Sequence, residues 1–83
     1  MPRYFFDLYD DLAVHDDEGQ ELNDDQNASD AAVRSARQIA ATQVLNGHLN
    51  LAHRIEARSE DGGFVKIVRF GEVIAITERA GGL

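Results

Sequence analysis

One stretch of this sequence reads as an α-helix, and strand-like segments precede and follow it. A single helix covers only one face of a sheet, so a chain built this way has a second face to account for. The helical stretch follows a polar run at residues 23–27, with Asn27 as the expected N-cap and Asp30 three residues on, favoured by the positive helix end. Asp25 and Ser29 are competing caps. On a helical wheel Ala32, Val33, Ala36, Ile39, Ala40, Gln43 and Val44 share one side, while Arg34, Arg37, Gln38 and Thr42 lie elsewhere. The apolar stripe is mostly alanine, which lets a helix sit close to a sheet. Asn46-Gly47 ends it in the usual C-terminal way.

Before the helix, Arg3 to Tyr9 is rich in aromatics and reads as a strand. Tyr4, Phe6 and Leu8 give it one apolar face; Arg3, Phe5, Asp7 and Tyr9 give a mixed one. Asp10-Asp11 reads as a turn and Leu12 to His15 as the return strand. Asp16-Asp17-Glu18-Gly19 ends that strand, with Gly19 free to take a positive φ. Gln20 to Leu22 extends a little further.

After the helix, residues 48–51 connect. Residues 52–58 alternate, His53, Ile55 and Ala57 against Arg54, Glu56 and Arg58, as a strand with one buried and one solvated face does. Asp61-Gly62-Gly63 marks a hairpin turn. Phe64 to Thr77 is β-prone and is interrupted by Gly71, which is either a bulge in one long strand, the reading preferred here, or part of a type II′ turn between two short ones. Ala80 to Leu83 reads as a frayed tail. The expected fold is α+β, in the order β-β-α-β-β, with a largely antiparallel sheet and one helix packed on one face. The 83 residues form a single domain, 1–83.

Charge is unevenly placed. Residues 1–32 carry a net charge of −9 and residues 33–83 a net of +2, within −7 for the whole chain. Such a balance argues against general nucleic-acid binding and against anionic membranes, both of which rely on Lys and Arg to neutralise phosphate. No apolar run is long enough to span a bilayer, and the N-terminal residues do not read as a signal peptide. The absence of cysteine excludes disulfides and thiolate metal sites and fits a cytoplasmic setting.

The acids cluster at expected turns: Asp10-Asp11, Asp16-Asp17-Glu18 and Asp24-Asp25. They could hold Ca²⁺ or Mg²⁺, but the spacing is not that of an EF-hand, because Val14 stands where the first loop ligand belongs if Gly19 is the loop glycine. If the first two pairs flank one short strand, they also lie roughly 15 Å apart. Turn formation and solvation explain them more simply. His15, His48 and His53 have no regular ligand spacing; His53 falls on an apolar strand face, where a hydrogen-bonded core histidine is the common case. No GxSxG elbow and no phosphate loop occurs, so no catalytic, cofactor-binding or metal residue is assigned, and the chain is expected not to be an enzyme.

Four residues stand out as interaction candidates: Phe5, Tyr9, Arg54 and Arg58. All four belong to the face that one helix would leave uncovered. Single-stranded nucleic acid could stack there, but Glu56 and Asp7 are interleaved, and cross-strand ion pairing is the simpler account. An apolar face left open on a small protein suggests self-association or a protein partner.

The run Pro2-Arg3-Tyr4-Phe5-Phe6-Asp7, then Asp16-Asp17-Glu18-Gly19-Gln20-Glu21-Leu22, then an alanine-rich helix, resembles a family of small proteins from rhizobia and related alphaproteobacteria. That family is catalogued as a domain of unknown function. The resemblance covers most of the chain and implies a stand-alone bacterial cytoplasmic domain; it brings no catalytic or binding residue. Phe70-Gly71-Glu72 departs from it, since an unbroken strand is expected there. The functional expectation is therefore a small non-catalytic association module, a homodimer or the binder of a protein partner. The alternatives are a divalent-cation binder using the acidic turns, and an acidic regulator that binds a basic partner, as antitoxins do.

Overall fold

The computed structural model describes residues 1–78 of the chain. The elements are β1 (Arg3–Tyr9), β2 (Ala13–Val14), β3 (Gln20–Glu21), α1 (Asp25–Leu45), β4 (Arg54–Ser59), β5 (Val65–Arg69) and α2 (Phe70–Val73). The strands make one five-stranded sheet in the order β2-β1-β4-β5, with β3 also paired to β1. Every pairing is antiparallel. The fold is the expected α+β arrangement, an antiparallel sheet with one main helix against it.

β1 and β4 form the centre. Six residue pairs join them, from Tyr4 opposite Ser59 to Tyr9 opposite Arg54. Alternation then decides the faces, because residues opposite each other in an antiparallel pair point the same way. Ile55, Ala57 and Val68 point towards α1, whose Ala32, Ala36 and Ala40 complete the core with Phe70. Alanine at those positions brings the helix axis close to the sheet. Ala28 and Ala31 are buried as well, because the helix begins earlier than the sequence suggested. Its N-cap is Asp24, not Asn27: the Asp24 carboxylate accepts from the Asn27 amide at 2.8 Å. Asp24 takes the extended backbone a cap needs, which Asn27, already helical, cannot. At the other end Val44 is 58% exposed, so the apolar stripe stops one residue short of its expected end. Gly47 closes the helix with φ 90° and donates to Val44 O at 2.9 Å.

The segment after β5 differs from expectation. Phe64 to Thr77 is neither a bulged strand nor two strands joined at Gly71. The chain leaves the sheet at Phe70 and makes the short helix α2. Three hydrogen bonds pull it over. Phe70 N–H donates to His53 O at 2.9 Å and Gly71 N–H to Leu51 O at 3.0 Å. Arg69 N–H donates to the Glu72 carboxylate at 2.9 Å. Phe70 is thereby fully buried, and a side chain at Gly71 would meet Leu51 O at 3.3 Å. The Asp61-Gly62-Gly63 turn forms as expected, with Gly62 at φ 76°. The tail Ala80 to Leu83 lies outside the described residues.

Candidate functional site

The face of the sheet away from α1 carries three rows of side chains, fixed by register. Phe5, Arg58 and Val65 make one row; Asp7, Glu56 and Ile67 the next; Tyr9, Arg54 and Arg69 the third. Arg54 lies over the Tyr9 ring with its guanidinium carbon 4.3 Å from the centroid, and Arg58 lies over Phe5 at 4.6 Å. A guanidinium flat on an aromatic ring gains cation–π attraction and keeps its edge free for hydrogen bonds. Arg54 Nε donates to Glu56 Oε2 at 2.8 Å, and Arg58 Nε to Asp7 Oδ2 at 3.0 Å. The structure therefore brings Phe5, Tyr9, Arg54 and Arg58 together. It also adds Val65 and Ile67, 62% and 43% exposed, beside them.

One border of this face is raised. Between β2 and β3 the chain bulges away from β1, and residues 15–19 fold against the open-face side chains. A Cβ on Gly19 would come within 3.0 Å of Phe5 Cε1 and 3.1 Å of Arg3 Cγ. His15 packs edge-on against Tyr9, with ring centroids 6.2 Å apart. Arg3 ties the loop down by donating to Glu18 O at 2.7 Å.

Asp16 organises this loop. Its Oδ2 accepts from Phe6 N–H at 3.1 Å, and its Oδ1 from Gly19 at 3.0 Å and Glu18 at 3.2 Å. Phe6 sits in the stretch of β1 that neither β2 nor β3 reaches, so a side chain stands in for the missing strand partner. Burial pushes the Asp16 carboxyl up, but the Gly19, Phe6 and Glu18 amides outweigh it, and its pKa falls below the ordinary carboxylate value. Asp7 behaves alike. Burial raises it, the Arg58 hydrogen bond and the Asp16 amide lower it, and the balance is downward. Asp7 in turn holds the Arg58 pKa above its usual value. Sequence placed Asp7 in cross-strand ion pairing, as its bond to Arg58 shows, and Asp16 in an acidic turn; it did not set Asp16 apart from its acidic neighbours as the acceptor for the Phe6 amide, although the Gly three residues after Asp16 is the signature of a side-chain-closed turn.

Most of the other polar groups are satisfied locally; among the described residues the exceptions are the buried Gln43 Oε1 and His53 Nε2, which have no hydrogen-bond partner. His53 is buried, with Nδ1 2.9 Å from Gln43 Nε2 and its ring edge-on to Phe70, the hydrogen-bonded core histidine expected. Tyr4 donates to Asp25 Oδ1 at 2.6 Å, and that bond, then burial, pushes its pKa up to about 12. These two residues line a shallow cleft of about 230 Å³ with Ser59, Asp61 and Phe64. Ser59 Oγ donates to Asp61 and accepts from Phe64 N–H, so the groups of the cleft engage one another. Among the described residues no three His, Asp or Glu side chains converge on one point, and no helix is long and apolar enough to cross a membrane.

Residues 3–71 match the sequence model of a family described as a domain of unknown function (DUF6894), which agrees with the N-terminal resemblance at the level of an uncharacterised domain family. No curated protein and no solved structure matches the chain.

Proposed function

The chain belongs to this domain family of unknown function, and from that premise we propose that it is a non-catalytic association module that works through its uncovered sheet face. One observation carries the reading. α1 covers one side of the sheet, and the other side presents Val65 and Ile67 exposed next to arginines already spread over Phe5 and Tyr9. Arginine over an aromatic ring, beside aliphatic side chains, is the composition enriched at the centres of protein contacts. The side chains of the Tyr4 cleft support the non-catalytic part, because their hydrogen bonds are spent on one another.

The test is mass in solution. Light scattering at tens of micromolar is expected to give about twice the 9.2 kDa chain mass. Ile67→Lys, on the open face, lowers it towards one chain; Gln38→Lys, on the exposed side of α1, leaves it unchanged. A mass of 9.2 kDa at every concentration, or a Gln38→Lys effect equal to that of Ile67→Lys, removes the reading.

A further inference from the structure

We propose that two copies of this chain join edge to edge along β5, about a two-fold axis normal to the sheet at Ile67, with Lys66 of each copy lying in a cleft of the other and reaching its Glu72. This rests on the association reading. The axis keeps both open faces on one side, so they merge into one wider face with Val65 and Ile67 of both copies at its centre.

Backbone parity leaves this edge open. Ser59 N–H donates to Phe64 O, and Phe70 N–H donates to His53 O. With the β4–β5 register, Phe64, Lys66, Val68 and Phe70 therefore turn their backbone groups to β4, while Val65, Ile67 and Arg69 turn theirs outward. Among the described residues β5 pairs with no strand but β4. Of the outward groups, the Arg69 N–H is covered in the single chain, by the Glu72 carboxylate at 2.9 Å.

The side chains beside the edge select the occupant. On the α1 side of the sheet Val33, Val68 and Val73 line a half-open cleft of about 210 Å³, together with Lys66, Ile67 and Glu72. Apolar walls with a carboxylate suit a lysine, whose stem is aliphatic and whose tip is charged. Lys66 stands opposite Ala57 on this same side, is exposed, and has no ion pair among the described residues. When Ile67 faces its own counterpart, Lys66 of one copy stands opposite Val68 of the other, next to Arg69 and the Glu72 that caps it. Glu72 then exchanges the Arg69 amide for that ammonium, and the amide takes Val65 O of the second copy, so no group is stranded. A register one step back sets Lys66 directly opposite Lys66, a like-charge pair. One step on, Lys66 stands opposite Phe70, which already belongs to α2. The favoured contact occurs twice about the axis, and the pair closes.

The five residues of β5 make a seam of about 17 Å, at the small end for a stable contact. Backbone pairing is open to any extended strand; the two Lys66–Glu72 contacts make it specific for a second copy.

Single charge reversals and their mixture test it. Lys66→Glu sets acid against Glu72 at both contacts, and Glu72→Lys sets base against Lys66, so each variant is expected at about 9.2 kDa by light scattering at tens of micromolar. Mixed in equal amounts, the two restore opposite charges at both contacts, and the doubled mass is expected to return. A mass near twice 9.2 kDa for Lys66→Glu alone overturns the arrangement and points to copies packed on the open face, because Lys66 lies on the α1 side. Variants that stay monomeric when mixed overturn it as well. Circular dichroism shows whether each variant folds. Because Glu72→Lys removes the Arg69 cap, Ile67→Cys gives a second reading that does not depend on it. The chain has no cysteine of its own, and the Cα atoms of a hydrogen-bonded pair stand about 5.5 Å apart, within disulfide reach. Mild oxidation is expected to link Ile67→Cys copies and to link them far less when Lys66→Glu is added; no linkage, or equal linkage in both, overturns the proposal. Each of these failures leaves the association reading standing, whereas a wild-type chain of 9.2 kDa at every concentration removes both.

Discussion

Asp16→Ala should be among the most damaging single polar substitutions in this chain, although Asp16 is only half-buried. Three backbone amides depend on its carboxylate, at 3.0 to 3.2 Å. The Glu18 and Gly19 amides lie in a surface loop and regain water when the carboxylate goes, so each costs little. Phe6 N–H is different. It lies in β1 under the loop, and no strand can replace the acceptor without rebuilding residues 15–19. An amide left unsatisfied in such a place costs about 1–3 kcal/mol, and the lost charge-assisted bonds add about 1 kcal/mol more. The sum, about 2–4 kcal/mol, is a large share of the roughly 4–12 kcal/mol expected for a domain of this size. At about 4–8 °C per kcal/mol it lowers Tm by roughly 8–32 °C. Asp16→Asn recovers only part of this, because its one carbonyl cannot serve both Phe6 and the turn. Thermal and urea melts at low micromolar concentration, followed by circular dichroism, measure the effect free of association. Asp17→Ala, whose side chain is exposed, is the control and should stay within about 0.5 kcal/mol of wild type. An Asp16→Ala protein that melts within about 3 °C of wild type, or one no worse than Asp17→Ala, refutes the argument.

Two further outcomes follow from the same corner of the molecule. Asp7 and Asp16 both have folded pKa values below the ordinary 3.8, so the unfolded chain binds their protons more readily. Their contribution is complete above about pH 5 and drains away as the pH falls below 3.8 and through the folded values; Asp16→Asn should flatten the acid limb of a stability–pH curve, and an unchanged limb counts against it. Glycine substitutions separate backbone strain from crowding. Gly19 and Gly62 both have positive φ, at 69° and 76°, so alanine costs each about 1 kcal/mol. At Gly19 the new Cβ would also sit 2.7 Å from Tyr4 O, whereas Gly62 faces open space. Denaturation should therefore show Gly19→Ala worse than Gly62→Ala by at least about 1 kcal/mol; equal losses would mean the loop is not packed on β1 as described.

What the sequence determined by itself was local and periodic. Alternation placed Ile55 and Ala57 on one side of β4 and Arg54 and Arg58 on the other, because a strand has no choice but to alternate. The alanine stripe marked the face of α1 that packs, and glycine marked the ends at Gly47 and Gly62, where only a residue without a Cβ takes the required φ at little cost. The candidate residues Phe5, Tyr9, Arg54 and Arg58 were legible for the same reason, since one helix leaves one face open.

Tertiary structure decided the rest. Gly71 looked like a feature of a long β-prone run; the carbonyls of His53 and Leu51, about 20 residues away in sequence, turned that run into a helix by offering its amides better partners than another strand could. Which aspartates are structural was equally hidden. Asp16 and Asp17 are neighbours of the same chemistry, yet one holds three amides and the other faces water, because only the fold says which side of the loop lies against β1. The pairing of aromatic rings with particular arginines likewise depends on register between β1 and β4, a contact between residues some fifty positions apart that no local pattern specifies.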